Sequence, residues 1–229
     1  MTIAENIKAV AEKISFACER SSRGPDSVKV VAVSKTVGVD KIAEAVAAGL
    51  TTFGENRVQE AWRKVQTGRL DVEWHMIGHL QSNKVRRTLR FADMIQSVDS
   101  IKLAREIDQE ADRLDRQVPV LIQVNCSGEA SKFGFAPQDT MPALEEIVTL
   151  PRLSVRGLMT IGAHSADELR VRRSFVSLRE LRDKLMAQEF PGVNLRELSM
   201  GMSGDFPIAI EEGSTLVRIG RSIFGERLN

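Results

Sequence analysis

Val28-Lys29-Val30-Val31-Ala32-Val33, running straight into Ser34-Lys35-Thr36, is the stretch from which the architecture is read. A β-branched run with one charge, bounded by loop residues, predicts a strand covered on both faces. On its N-terminal side Thr2 and Glu5 form a T-x-x-E capping box, which satisfies orphan N–H groups at a helix start. Ile3, Ile7, Val10 and Ile14 follow at helical spacing, and Gly24-Pro25-Asp26 ends that region.

On the C-terminal side strands and helices alternate. The pattern predicts a helix over 40–48 closed by Gly49, a strand over 50–53, a helix over 55–65 and a strand over 72–77. A basic helix over 82–90, a strand over 94–98 and a helix over 100–116 come next. Then follow a strand over 118–124, a helix over 142–149, a strand over 155–161 and a helix over 167–189. A weak strand over 197–200, a strand over 216–219 and a helix from Arg221 complete the chain. Strands separated by helices imply parallel crossovers. The expected fold class is α/β, a single (β/α)8 TIM barrel with an extra N-terminal helix, near the small end for that fold. An open doubly wound sheet is the alternative, but eight short units suit closure better. With no composition break or Pro/Gly-rich linker, residues 1–229 are expected to form one domain.

Composition narrows the function. The 229 residues carry 32 Lys+Arg against 31 Asp+Glu, a net charge of +1, and 42% are hydrophobic. A chain of this kind buries a core, and it lacks the charge excess of a dedicated nucleic-acid or polybasic membrane binder. Cys18 and Cys126 are too few for a disulfide scaffold or a thiolate metal site. No apolar run approaches membrane-spanning length. Glu5, Lys8, Glu12 and Lys13 interrupt the stretch a signal peptide would need, so a soluble, cytoplasmic protein is expected. The chain contains no Tyr.

In such a barrel chemistry gathers at the C-terminal ends of the strands. Lys35 follows the first strand, Asn56 the second, Gly78 and His79 the third, Asn125 the fifth and Thr160 the sixth. Met200 to Asp205 follow the seventh, while Arg218 lies in the eighth with Gly220 at its end. A lysine ending an apolar strand is ordinarily a snorkelling charge. Among barrel walls it can instead become a desolvated, nucleophilic amine able to form a Schiff base. The turns Ser199-Met200-Gly201-Met202-Ser203-Gly204-Asp205 and Gly220-Arg221-Ser222 stand where barrels bind phosphate. A phosphorylated aldehyde would bridge amine and cup: pyridoxal 5′-phosphate, or a sugar-phosphate aldolase intermediate. His75 and His79 are four apart but are split by Gly78 in a strand-then-loop context, so no metal pair is expected. Lys84, Arg86, Arg87 and Arg90 read as a solvated helix face, Trp62 and Trp74 as packing residues, and Cys126 as a buried thiol.

Val31-Ala32-Val33-Ser34-Lys35-Thr36, Phe53-Gly54-Glu55-Asn56, Trp74-His75-Met76-Ile77-Gly78, Leu80-Gln81-Ser82-Asn83-Lys84, Leu198-Ser199-Met200-Gly201-Met202-Ser203 and Val217-Arg218-Ile219-Gly220 together resemble the YggS/PROSC family of pyridoxal-phosphate homeostasis proteins. The resemblance runs in order over nearly the whole chain. That family is similar in fold to the N-terminal barrel of alanine racemase. The resemblance implies that Lys35 carries pyridoxal 5′-phosphate as a Schiff base and that Arg218 faces its pyridine nitrogen. It further implies a phosphate held by Ser199, Met200, Gly201 and Ser203 on one side and by Gly220 and Arg221 on the other, with Asn56 beside the cofactor. The implied role is to buffer or deliver cofactor to pyridoxal-dependent apoenzymes.

Three positions depart from the family pattern. Thr36-Val37-Gly38 lacks a second lysine common there, Arg57 replaces a common Tyr, and Arg221 stands where a hydroxyl residue often adds a phosphate contact. A racemase- or decarboxylase-like enzyme of fold type III is the alternative. Racemisation needs a second base, which the related racemases supply as a Tyr from a further domain; here no Tyr follows the eighth strand. An Arg at the pyridine nitrogen also weakens the cofactor as an electron sink. A carrier rather than an enzyme is therefore expected, and a monomer, since no apolar helix face is evident.

Overall fold

The structure, a computed structural model, describes residues 1–68, 70–188, 190 and 193–226. Its strands are β1 (Lys29–Val33), β2 (Thr52–Glu55), β3 (Glu73–Met76), β4 (Met94–Val98), β5 (Val118–Gln123), β6 (Leu153–Met159), β7 (Glu197–Met202) and β8 (Leu216–Ile219). Each pairs in parallel with the next, and β8 closes on β1 with Val30 opposite Val217 and Val31 opposite Arg218. The helices are α1 (Ile3–Arg20), α2 (Val39–Ala47), α3 (Val58–Val65), α4 (Val85–Thr88), α5 (Ile101–Arg113), α6 (Thr140–Ile147), α7 (Glu168–Met186), α8 (Phe206–Glu211) and α9 (Arg221–Phe224). The closed (β/α)8 barrel is the expected one, preceded by the expected helix.

Closure makes both faces of every strand interior, and side-chain alternation sorts them. Val31, Leu121, Met159 and Leu216 form a small apolar cluster inside the barrel. Gly54 keeps that space open, because a Cβ there would lie 2.9 Å from both Val31 Cγ1 and Ile77 Cδ1. The outward set, including Ala32, Phe53, Ile95, Val120, Ile122 and Val217, packs with Ile42, Ala61, Leu103 and Phe175 from the helices. Each large side chain buried there contributes roughly 1.5–3 kcal/mol. Trp74 belongs to this layer, its ring 5.9 Å from that of Phe53.

The capping box holds: Thr2 Oγ1 accepts from Glu5 N at 3.2 Å, and Glu5 Oε2 accepts from Thr2 N at 2.7 Å. Helices α8 and α9 are only six and four residues long, too short to cover the sheet beside them. Helix α1 packs against both. Asn6 Nδ2 donates to Ile223 O at 2.9 Å, and Arg20 pairs with Glu211 at 3.1 Å. The extra helix thus completes the outer ring where the last two helices are short.

Some boundaries differ from expectation. The basic helix over 82–90 is a 3-10 turn, Ser82–Lys84, followed by the four residues of α4. Of the residues read as a solvated face, Arg86, Arg87 and Arg90 are exposed, while Lys84 is half-buried. Helix α6 starts two residues before the expected Pro142, because the turn Pro137–Asp139 feeds directly into it. Helix α7 ends at Met186; the expected end, Glu189, lies outside the described residues. Helix α8 was not expected, and β7 runs two residues further than 197–200.

Candidate functional site

Lys35 stands directly beyond β1 and, with Val33, lines a cleft of about 890 Å³ at the C-terminal end of the barrel. The backbone around it is tightly held. Thr36 has φ +64°, an uncommon conformation for a residue with a side chain. Its N–H donates to Glu60 Oε1, while the Ser34 hydroxyl donates to Glu55 Oε1 at 2.6 Å. Lys64 ties these together, donating to Ser34 O at 2.7 Å, Glu55 Oε1 at 2.6 Å and Glu60 Oε1 at 2.8 Å. Both neighbours of Lys35 are therefore fixed to one buried charge cluster between β2 and α3.

The charges in that cluster are unequal. Glu55 is fully buried, and its Oε2 has no hydrogen-bond partner among the described residues. Burial pushes its carboxyl above the usual range, with Lys64 opposing. At Glu60 burial acts the same way, but the hydrogen bonds from Lys64 and Thr36 N–H prevail and hold it below that range.

Across the cleft, β7 and β8 supply the other wall. The turn after β7 is closed by Asp205, which accepts from Met202 N, while Asp205 N donates to Met202 O at 3.0 Å. It projects Ser203, whose Oγ accepts from Gly220 N at 3.2 Å and Ser222 N at 3.4 Å. One hydroxyl therefore bridges the loops after β7 and β8. Gly204 is exposed, and a Cβ there would meet nothing within 4 Å.

Arg218 enters the same cleft from β8 although only 4% exposed. Its Nη1 donates to Ser199 Oγ at 2.6 Å and its Nη2 to Thr160 O at 2.7 Å. Burial lowers the guanidinium to about 10, with the Asp205 carboxylate opposing, so it remains charged at neutral pH. Beneath it the polar contacts continue through the barrel. Ser199 Oγ donates to Gln96 Oε1 at 2.6 Å, and Gln96 Nε2 donates to His75 Nδ1 at 2.7 Å. His75 Nε2 meets Glu73 Oε1 at 2.9 Å, and Glu73 Oε2 pairs with Lys29 at the far end.

Lys35, Ser203, Arg218, Gly220 and Arg221 all line the cleft. The other sequence candidates lie elsewhere. Ser199 is buried beneath Arg218, and Met200 belongs to the core. Gly201 (φ +91°) lies against α8, where a Cβ would come 2.6 Å from that of Ala209. Asn56 is half-buried at the end of β2, its backbone against Gly78. His75 is inside the barrel, whereas His79 is outside the cleft lining, bonded to Asp99 at 2.7 Å and stacked on Phe133 at 3.8 Å. Burial raises the Cys126 thiol to about 11, which leaves it protonated and unreactive at neutral pH.

Sequence reasoning missed the third wall. Ile161 to Ala166, after β6, line the cleft together with Lys132 from the loop after β5. Lys132 Nζ donates to Gly162 O at 2.6 Å and pairs with Glu129 at 2.9 Å, which ties the two loops together. Loop residues lack periodicity, so only the barrel's closure places them here. Among the described residues Lys35, Lys41, Lys132, Arg218 and Arg221 line the cleft against Glu168, Asp205 and Glu226. The excess of cations suits an anionic ligand.

A parallel barrel with a lysine after β1 and an arginine in β8 defines a class that known proteins identify. The profile described as "Alanine racemase, N-terminal domain" matches residues 6–228. The pyridoxal phosphate homeostasis protein of Aquifex aeolicus is 44% identical over 228 residues, 99% of each chain. That of Escherichia coli K12 is 39% identical over 234 residues, covering 98% of this chain and 97% of its own. Among solved structures, PipY of Synechococcus elongatus with PLP bound is 37% identical, with a TM-score of 0.85 over 98% of this chain and all of its own. Alanine racemase of Clostridium difficile shares the fold alone, at 15% identity and TM-score 0.77 over 98% of this chain and 58% of its own. The chain belongs to the alanine racemase N-terminal domain family and, within it, to the pyridoxal phosphate homeostasis proteins.

Proposed function

We propose that the protein binds pyridoxal 5′-phosphate in the cleft and serves intracellular cofactor homeostasis, holding and releasing the cofactor rather than running a reaction on it. One observation carries the reading: Lys35, Arg218, Ser203 and Gly220 line one cation-rich cleft, where the Ser203 hydroxyl bridges the loops after β7 and β8 through the amides of Gly220 and Ser222. This donor set matches the group: an amine for the aldehyde, a fixed guanidinium for the ring nitrogen, and hydroxyl and backbone N–H donors for the phosphate. When bound, the cofactor supplies an electrophilic aldehyde and an electron-withdrawing ring.

In this reading Lys35 holds the cofactor as a Schiff base, and the cluster of Glu55, Glu60 and Lys64 fixes the amine's base. Arg218 donates toward the pyridine nitrogen and keeps it unprotonated. The loops after β7 and β8 receive the phosphate, with Gly220, Arg221 and Ser203 nearest the cleft. Ser199 acts through Arg218, and Met200 and Gly201 shape the turn beneath. Asn56 borders the cofactor from β2. Recipients are pyridoxal-dependent apoenzymes.

The test is the visible spectrum of purified protein titrated with pyridoxal 5′-phosphate, followed by borohydride reduction and peptide mapping. A violet imine band fixed onto the Lys35 peptide is expected, and Lys35→Ala removes it while leaving the fold intact. A band retained in that variant would refute the assignment. Activation of an apoenzyme mixed with the loaded protein, without measurable racemisation of amino acids, separates the carrier from a fold type III enzyme.

A further inference from the structure

The polar side chains inside the barrel form a directed series, and its direction follows from chemistry. Glu73 is an ionised carboxylate, held down at about 2 by the His75 hydrogen bond against the opposing effect of burial, with Lys29 assisting. A carboxylate only accepts, so His75 Nε2, 2.9 Å away, carries a proton. When the ring is neutral, Nδ1 is an acceptor, and the Gln96 amide then presents its NH2 group to it at 2.7 Å. That orientation turns Gln96 Oε1 toward Ser199, whose hydroxyl donates at 2.6 Å. With its proton committed to Gln96, Ser199 offers lone pairs to Arg218 Nη1 at 2.6 Å. His75, Gln96 and Ser199 are all buried, so water does not substitute for a missing partner.

We infer that His75 and Gln96 are positioning residues for Arg218: the His75 tautomer sets the Gln96 amide, which commits the Ser199 hydroxyl and thereby fixes one edge of the guanidinium. Thr160 O fixes the other edge through Nη2, leaving the remaining N–H groups for the cleft. The inference rests on the reading of Arg218 as the partner of the cofactor's ring nitrogen. The charged groups around His75 are Glu73 on its own strand, Lys29 behind Glu73, and Arg218 beyond Ser199. Reversing the amide would present two donors to Ser199, Gln96 Nε2 and Arg218 Nη1, and leave its own proton without a fixed acceptor.

The tautomer is read in the unaltered protein by nitrogen NMR of labelled histidine, with His79 and His164 variants assigning the three rings. A proton on Nε2 and a bare Nδ1 at His75 are expected; a proton on Nδ1 overturns the inference. The second measurement compares His75→Leu, which removes the acceptor, with His75→Asn, whose Oδ1 can restore it. His75→Leu should weaken pyridoxal 5′-phosphate binding roughly tenfold, the scale of one lost buried hydrogen bond. It should also shift the pH midpoint of the imine band, and His75→Asn should recover both. A purely structural role would lower thermal stability and affinity without moving that midpoint, and such a result overturns the inference. If His75→Leu does not fold, Gln96→Met gives the same comparison against wild type. Absence of the band in wild type, or its survival in Lys35→Ala, would instead bring down the underlying reading and the inference with it.

Discussion

The two polar networks flanking the cleft are built on opposite plans. Behind Lys35, the cluster of Glu55, Glu60 and Lys64 is a compact knot of charge lying outside the barrel, and it grips main chain: the Ser34 carbonyl and the Thr36 amide. Beneath Arg218 the contacts run as a line instead, Ser199, Gln96 and His75 spanning the interior between Arg218 and the Glu73–Lys29 pair. The first fixes where a flexible side chain starts; the second fixes where a planar one ends. In the proposed role a lysine amine needs room to react, so anchoring its backbone suffices. A guanidinium acts through its orientation and must be held at the head group itself.

The comparison predicts unequal responses to mutation. Lys64→Met should cost the most, about 3 kcal/mol by urea unfolding, because it strands a buried carboxylate. Adding Glu55→Gln should recover most of the loss; if it does not, the cost lies in packing rather than charge. Burial already raises Glu55 above its unfolded value, and the variant removes the lysine that opposes this. The folded state then binds the proton more tightly than the unfolded chain, so stability falls as pH rises through the folded value. Lys64→Met should therefore be more stable near pH 5 than near pH 7, judged from ordinary carboxylate values.

Glu73→Gln tests the interior series with the opposite sign. Glu73 is depressed from 4.5 to about 2, so its contribution is present above the unfolded value and is lost as pH falls through the folded one. The side chain is 35% exposed, so solvent screening reduces the effect to roughly 1 kcal/mol at neutral pH. Urea midpoints should differ between variant and wild type at pH 7 and converge as the pH drops toward 2. Equal separation at both ends would show that Glu73 contributes through contacts and not through charge. Glu60→Gln is the mildest change, since its amide oxygen can still accept from Thr36 N–H and Lys64. A loss of about 0.5 kcal/mol, or some 1–2 °C in thermal midpoint, is expected.

The barrel was legible because β-branched runs alternated with amphipathic helices, a local signal. Helix α8 was not: Phe206-Pro207-Ile208 follows a glycine turn, and six residues give too little periodicity to separate a helix from a loop. The basic segment over 82–90 read as one helix, yet only Val85–Thr88 is α-helical. Lys35 could be found because it ends an apolar strand. Glu73, His75 and Gln96 could not, since polar residues at alternate strand positions ordinarily mark a solvated face. Closure puts that face indoors, and only then must each polar atom find a partner. Lys132 needed tertiary contacts to bring it to the cleft.

Ser203 has a consequence for exchange. Its hydroxyl occupies the amides of Gly220 and Ser222 from within the chain, so an anion seated there meets a tethered competitor already in place. Departure of such an anion leaves no bare amide behind, because the competitor resumes its post. Such a pocket trades tenacity for turnover.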